Sequence, residues 1–516
     1  MSIKSRKACF LCQKPCDSQC PYCQSVWFCS DIHFQLHRLE DQSYCCPYEV
    51  DVKAGIGRIL RATRAIKAME IVLIDPGTVV GPNYSSTPVC LDCLSSVDGS
   101  FLCPCCRFPL CSTDCSTGSM HQDECLILGR CLDRPEALQI KGPEHETNAY
   151  SIITPLRTLL LKESGTDAWQ RTDELMDHHQ ERRQNLEEWT WYQKNVVDFI
   201  RHNLGLTQFS EVDVHRAIGI LNVNAVTLQY PRKSGGGANP KDVKKGKGIY
   251  PIFAIMSHYC ICNARYTIDP KTSEMYVRAR RPIMRGEELS VQYLSALSGT
   301  FKRRKKIRSE WHFDCLCRRC SDPSECATNI SAVNCFSCEN GYLLPANPLD
   351  YESSWICQKC GHAVSSSKIE ELVDSIQSEL DDIGGSDEFH RYEDFIASYQ
   401  GIMLHPNHYL LMTATRNLIQ FYTYSAGNEV LAYETLKRKL QLCQNFWMVL
   451  TRVDPGYSEI RNFVQKELNF CKLLLSQQDY HSGKIGKEEY LLNSRQSLLA
   501  LDEVERNKKL IEKNIS

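Results

Sequence analysis

Ser257-His258-Tyr259-Cys260-Ile261-Cys262-Asn263, then Arg285-Gly286-Glu287-Glu288-Leu289-Ser290-Val291-Gln292-Tyr293, then Phe313-Asp314-Cys315-Leu316-Cys317-Arg318-Arg319-Cys320: these three segments, in this order, decide the reading of the chain. A β-rich stretch separates the first two. The last carries three closely spaced thiols. A tetrahedral zinc bound by Cys315, Cys317 and Cys320 lacks one ligand, so a fourth has to come from elsewhere in the chain.

Working outward, 516 residues give length for three or four domains, and a net charge of -2 makes neither a polyanion nor a general nucleic-acid binder. The 29 cysteines, mostly in C-x-x-C pairs, are the informative number. Met1-Ser2-Ile3-Lys4-Ser5-Arg6-Lys7 runs straight into a cysteine pair with no apolar leader, and no apolar run is long enough to cross a bilayer. The expectation is an intracellular protein of the cytoplasm or nucleus, without a membrane contact, whose reduced thiols hold metal.

The first 50 residues carry Cys9, Cys12, Cys20, Cys23, Cys29, His33, His37 and the pair Cys45-Cys46. Eight ligands in this order suit two zincs in a cross-brace: Cys9, Cys12, Cys29 and His33 at one, and Cys20, Cys23, His37 and either Cys45 or Cys46 at the other. His33 and His37, four residues apart, share a helix face. Gly55-Ile56-Gly57-Arg58 then opens alternating apolar residues, as a loop entering a hairpin does. From Cys90 the series Cys90, Cys93, Cys103, Cys106, Cys111, Cys115, His121, Cys125 is uninterrupted. Cys335, Cys338, Cys357 and Cys360 have zinc-ribbon spacing.

The order of these parts resembles the SMYD family, SET-domain lysine methyltransferases with a MYND finger set between the opening strands and the catalytic core. The extra finger in front is similar to the arthropod SMYD-A branch. The resemblance covers nearly the whole chain. It implies a MYND finger with Cys90, Cys93, Cys111 and Cys115 on one zinc and Cys103, Cys106, His121 and Cys125 on the second. It also implies Cys260 as fourth ligand to Cys315, Cys317 and Cys320, with Cys262 a weaker competitor. S-adenosylmethionine would lie against Gly57, Arg58, Asn224, Ser257, His258 and Phe313, and Tyr293 would line the lysine channel. In this register Ile59 stands for a family glycine, Ser257 for asparagine, Tyr259 for serine and Cys262 for proline.

The fold expected is an α+β multidomain chain. Its parts are a first finger over 1–49, SET opening strands over 50–89, the MYND finger over 90–125 and a helical insert of three helices over 126–210. The SET core follows over 211–299, with strand composition from Ile220 to Leu228, then a post-SET segment over 300–330 and a ribbon over 331–365. A TPR-like helical array fills 366–516. Pro231 to Gly248 reads as a mobile Gly/Lys-rich linker, and Phe301 to Arg308 as the exposed basic face of a helix. About six zincs are expected, with a protein substrate, proline-rich partners on the MYND fingers, no direct nucleic-acid binding, and a monomeric state. The function implied is protein-lysine methylation; the alternative is a SET pseudoenzyme acting as a zinc-finger adaptor.

Overall fold

The computed structural model describes residues 8–512 apart from 10, 13, 17, 21–26, 41–45, 84–87, 131–148, 231–243, 385–388 and 426–430. Small sheets build the core that carries the first two quoted segments. Tyr48–Lys53 and Gly57–Ala62 form a hairpin whose turn sets Gly55 and Gly57 at φ of 76° and 99°, a conformation that strains any side chain with a Cβ. Met275–Ala279 lies between Ala264–Ile268 and Ile71–Asp75, all antiparallel, and sends Met275, Val277 and Ala279 into the core at a period of two. Ser257–His258 runs parallel to Ser290–Val291, so the first two quoted segments meet side by side.

A fourth sheet corrects one expectation. Lys244–Ile249 is its central strand, between Val79–Pro82 and Val226–Tyr230, so the C-terminal end of the supposed linker is structured. Its glycines serve close packing. A Cβ on Gly246 would stand 3.1 Å from the Gly81 carbonyl and from Leu94 of the embedded finger, and one on Gly248 would stand 3.1 Å from the Tyr250 ring.

The insert is also more helical than expected. Beyond Ile153–Ser164, Asp167–Asp173, His179–Gln184 and Leu186–Tyr192, the helix Glu211–Asn224 takes in Ile220 to Asn224, where strand was expected. Ser210 and Asp213 close a reciprocal capping box at its start. Ile218, Ile220, Leu221 and Val223 are buried on several sides at once, which erases the amphipathic period and leaves an apolar run.

The ribbon is a four-stranded sheet, Val333–Asn334, Tyr342–Pro345, Trp355–Cys357 and Ala363–Val364. Six helices follow among the described residues: Ser366–Ile383, Phe389–Tyr399, Tyr409–Ser425, Tyr433–Val453, Glu459–His481 and Lys487–Glu512, with sequential neighbours packed together. No described helix is long and apolar enough to cross a membrane. One clasp ties this array to the core. Arg280 pairs with Asp454, both about 4% exposed, and donates to the Tyr457 carbonyl at 2.7 Å, while the Tyr457 N–H returns a bond to the Arg280 carbonyl. Gly456, at φ 82°, lets the chain pass; a Cβ there would lie 2.5 Å from that carbonyl.

Candidate active site and zinc centres

Asn263 is the tie between the first two segments. Its amide donates to Glu287 Oε1 at 3.0 Å and to the Glu288 carbonyl at 2.8 Å, and its oxygen accepts the Ser290 N–H at 2.8 Å. This crossing puts His258 under Tyr293. The Tyr293 N–H donates to His258 Nδ1 at 3.0 Å, which leaves the ring proton on Nε2. The Tyr293 hydroxyl donates to the Met256 carbonyl at 3.3 Å, and its ring packs 5.1 Å from Trp311 and 5.0 Å from His258. Burial, with the neighbouring Tyr266 adding to it, pushes the Tyr293 hydroxyl up to about 12.

Tyr266 was not singled out from sequence. Its position three residues past Asn263, on the face of its strand shared with Ala264, was the available signal. With Ala264, Val291 and Gln292 it lines a cleft of about 520 Å3 between the core and the C-terminal helices.

Of the residues expected to meet a cofactor, Ser257 has a buried hydroxyl beside the Glu288 carboxylate. Phe313 is 38% exposed, with its ring 6.3 Å from that of His258. Gly57 has open space where a Cβ would project. Arg58 is tied to the Glu174 side chain and carbonyl. Asn224 ends its helix and spends its amide N–H groups on the carbonyls of Met176 at 2.7 Å and Ile220 at 3.0 Å, leaving its oxygen. Ile59 is wholly buried.

Two departures from the family pattern have work of their own. The Tyr259 hydroxyl donates to Glu288 Oε2 at 3.3 Å, and Lys53 Nζ from the first hairpin reaches both. Although burial raises the Glu288 carboxyl, Lys53, Ser257 and Tyr259 hold it below its usual range. Cys262 accepts a hydrogen bond from Arg280 at 3.0 Å and stands on the wall of the cleft.

Among the described residues, five sets of four ligand atoms each lie within 4.8 Å of one another. They are Cys9, Cys12, Cys29 and His33; Cys90, Cys93, Cys111 and Cys115; Cys103, Cys106, His121 and Cys125; Cys260, Cys315, Cys317 and Cys320; and Cys335, Cys338, Cys357 and Cys360. A tetrahedron with Zn–S of about 2.3 Å has S···S edges of about 3.8 Å. Cys93 to Cys111 at 3.3 Å, Cys260 to Cys320 at 3.5 Å and Cys338 to Cys357 at 3.7 Å suit that edge. The donor sets fit zinc. The set expected from Cys20, Cys23, His37 and Cys45 or Cys46 cannot be assembled, because Cys23 and Cys45 lie outside the described residues.

The centre at Cys260 narrows the reading of Phe301 to Arg308 as an exposed basic face. These residues lie in the helix Thr300–Trp311, where Lys302, Lys305, Lys306 and Arg308 are exposed but Arg303 and Arg304 are buried. Arg303 donates to Cys260 Sγ at 3.2 Å and pairs with Glu325 at 3.0 Å; Arg319 joins the same carboxylate at 2.9 Å. Four thiolates on a zinc carry two net negative charges, and two buried guanidiniums meet that charge and that of Glu325.

The SET domain family matches residues 57–294. SET domain-containing protein SmydA-8, isoform A, of Drosophila melanogaster is 27% identical over 353 residues, 67% of this chain and 70% of its own length. Histone-lysine N-methyltransferase ASHR1 of Arabidopsis thaliana is 22% identical over 332 residues, 62% of this chain and 65% of that one. Histone-lysine N-methyltransferase SMYD3 of Mus musculus is 24% identical over 283 residues, 52% of this chain and 60% of that one. With a matched SET domain interrupted by an eight-ligand finger, and a ribbon and helical array behind it, the chain carries a SET domain and is similar to SMYD proteins over much of its length.

Proposed function

We propose that the protein is a lysine N-methyltransferase that uses S-adenosylmethionine and acts on proteins. The setting of Tyr293 carries this reading: its backbone is held by His258, its hydroxyl by Met256, and its neighbour Tyr266 lines an open cleft.

The bound cofactor supplies a methyl group on a positively charged sulfur. Ser257, with its buried hydroxyl, the oxygen of Asn224, the exposed ring of Phe313 and the open space at Gly57 suit a site for it. Arg58 and His258 complete the proposed set. An amine attacks carbon only after losing its proton, and in-line displacement needs it oriented. Tyr293 keeps its proton far above neutral pH, so it serves as an orienting group and not as a base. With that proton directed at Met256, its oxygen is left to accept an N–H of the entering amine. The ammonium proton leaves to water in the cleft. The two MYND-type fingers are assigned to proline-rich partners, and the chain is assigned a monomeric state.

The test is calorimetric titration of the zinc-loaded protein with S-adenosylmethionine, with Tyr293→Phe assayed on a peptide array. Saturable binding and a loss of methylation on the order of 100-fold in the variant, at unchanged melting temperature, are expected. A folded, zinc-loaded protein that does not bind the cofactor overturns the reading. The adaptor alternative would then hold, and it has one observation in its favour: the Asn224 N–H groups are already committed to backbone.

A further inference from the structure

The cleft beside Tyr266 is walled on two sides by parts of the chain that differ in origin, and its charges are unequally spent. From the core come Arg265 and Arg280; from the C-terminal helices come Arg416, Asp454 and Glu459. Arg280 and Asp454 close on each other and are almost wholly buried, so neither offers charge to the cleft. Arg265 gives Nη2 to Glu459 Oε1 at 2.9 Å and lies over the Tyr457 ring at 4.8 Å, but its Nη1 is buried without any partner. Arg416, exposed on the helix Tyr409–Ser425, makes no ion pair or hydrogen bond among the described residues.

Gln420, one helical turn beyond Arg416, stands on the same face and lines the same cleft with its amide also unengaged. Two guanidiniums and a carboxamide thus converge with donors to spare, opposed by one carboxylate, Glu459, whose side chain is 86% exposed. An unpaired donor at a buried position costs free energy until an acceptor reaches it. Planar guanidinium groups match carboxylates in geometry and charge. Tyr266 belongs to the same wall and is near enough to Tyr293 to act on its hydroxyl, so the cleft adjoins the site proposed for the amine.

We infer that this cleft reads an acidic residue flanking the target lysine of the substrate protein, through Arg416, Gln420 and the free edge of Arg265. The inference rests on the methyltransferase reading for the word substrate, and on the cleft alone for the recognition. It excludes a lysine-rich flank as the preferred context, because a second ammonium would face Arg416 and Arg265.

The experiment uses the full zinc-loaded chain and fluorescein-labelled peptides with one central lysine in a glycine-alanine background. Glutamate, alanine or lysine is placed at each flanking position, and binding is read by fluorescence anisotropy at low and high salt. Glutamate-flanked peptides are expected to bind roughly tenfold tighter than alanine ones at low salt, with the margin shrinking at high salt. Arg416→Gln should remove most of that margin, and Arg416→Glu should invert it toward lysine-flanked peptides. Since Arg416 is exposed, both variants should keep the parent melting temperature.

Equal binding of glutamate and alanine peptides overturns the inference. So does a preference that survives Arg416→Glu, or the absence of any peptide binding. Because binding needs no methyl transfer, the two readings fail separately. Charge-selective binding by a protein that transfers no methyl group keeps the cleft assignment and sinks the catalytic one. Methylation indifferent to flanking charge does the reverse.

Discussion

The embedded finger and the post-SET centre both put thiols around zinc, yet they relate to the core in opposite ways. The finger draws all eight ligands from Cys90 to Cys125, and folds within itself. Leu91, Leu94, Phe108 and Leu110 pack into the core cluster shared with the strands and the insert, and polar ties fix the finger's position. Arg157 bridges Glu124 of the finger to the Val80 and Leu91 carbonyls, and Tyr150 trades two hydrogen bonds with the Val89 backbone. The post-SET centre cannot form without the core, because Cys260 stands between the strand residue His258 and the knot residue Asn263. One metal centre is an attachment; the other is a fastener for the active site, since Phe313 and Trp311 lie just before its cysteines. A local metal site stabilises a module, whereas a site with ligands far apart in sequence couples distant parts of the fold.

The largest expected effect breaks this contrast directly. Cys260→Ser should lose one zinc and nearly all activity, with a fall in stability of about 3–5 kcal/mol as Arg303 and the remaining thiolates are left without their partner. Cys93→Ser should also lose one zinc, read by metal analysis, but core melting should move much less and cofactor binding should persist. Equal losses of cofactor binding in the two variants would erase the distinction.

Next in size are the arginines that serve each centre. Arg303→Ala leaves Glu325 buried with one guanidinium in place of two, and should cost about 3–5 kcal/mol in chemical denaturation. Arg157→Ala leaves Glu124, 1% exposed, without its cation, and should cost about 2–4 kcal/mol while the isolated zinc content stays whole. If Arg303→Ala also lowers zinc affinity and Arg157→Ala does not, the hydrogen bond from Arg303 to Cys260 Sγ is the reason.

These arginines show where sequence reading runs out. The ligands of the embedded finger stand at spacings that only metal chemistry requires, so they can be read from the chain. The basic run at 302–306 cannot, because burial of Arg303 and Arg304 depends on a thiolate centre and on Glu325, which come from other segments. Lys244 to Gly248 misleads for a related reason: glycine marks both loose chain and tight packing, and only the positions of Leu94 and Tyr250 separate the two. The asparagine knot and Tyr293 were legible as motifs by resemblance, whereas Tyr266 acquires meaning only from the ring and cleft beside it.

A pH profile tests the site itself. Burial raises the Tyr293 hydroxyl to about 12, above the lysine value of about 10.4, so the phenol stays protonated while the substrate amine loses its proton. Single-turnover methyl transfer should therefore rise about tenfold per pH unit from neutrality, levelling near the substrate lysine's own value, with no descending limb from Tyr293 below pH 11. A maximum near neutrality would assign a base that the structure does not supply at Tyr293.

The smallest effect concerns the knot that carries Cys260. Tyr259→Ser removes a hydroxyl that bonds Glu288 at 3.3 Å and lies 3.3 Å from Lys53 Nζ. The Lys53–Glu288 pair at 2.8 Å survives the change, and Lys53 is 39% exposed, so the cost should be under about 1 kcal/mol. Its use lies in direction. If Tyr259 only pins the first hairpin to the knot, cofactor affinity and zinc content stay fixed while melting falls slightly. If zinc at Cys260 also weakens, the hairpin is coupled to the post-SET centre through Glu288 and Ser257. The fastener then extends from the C-terminal tail to the strands that open the domain, a reach that the embedded finger's zincs, with all their ligands from one segment, do not have.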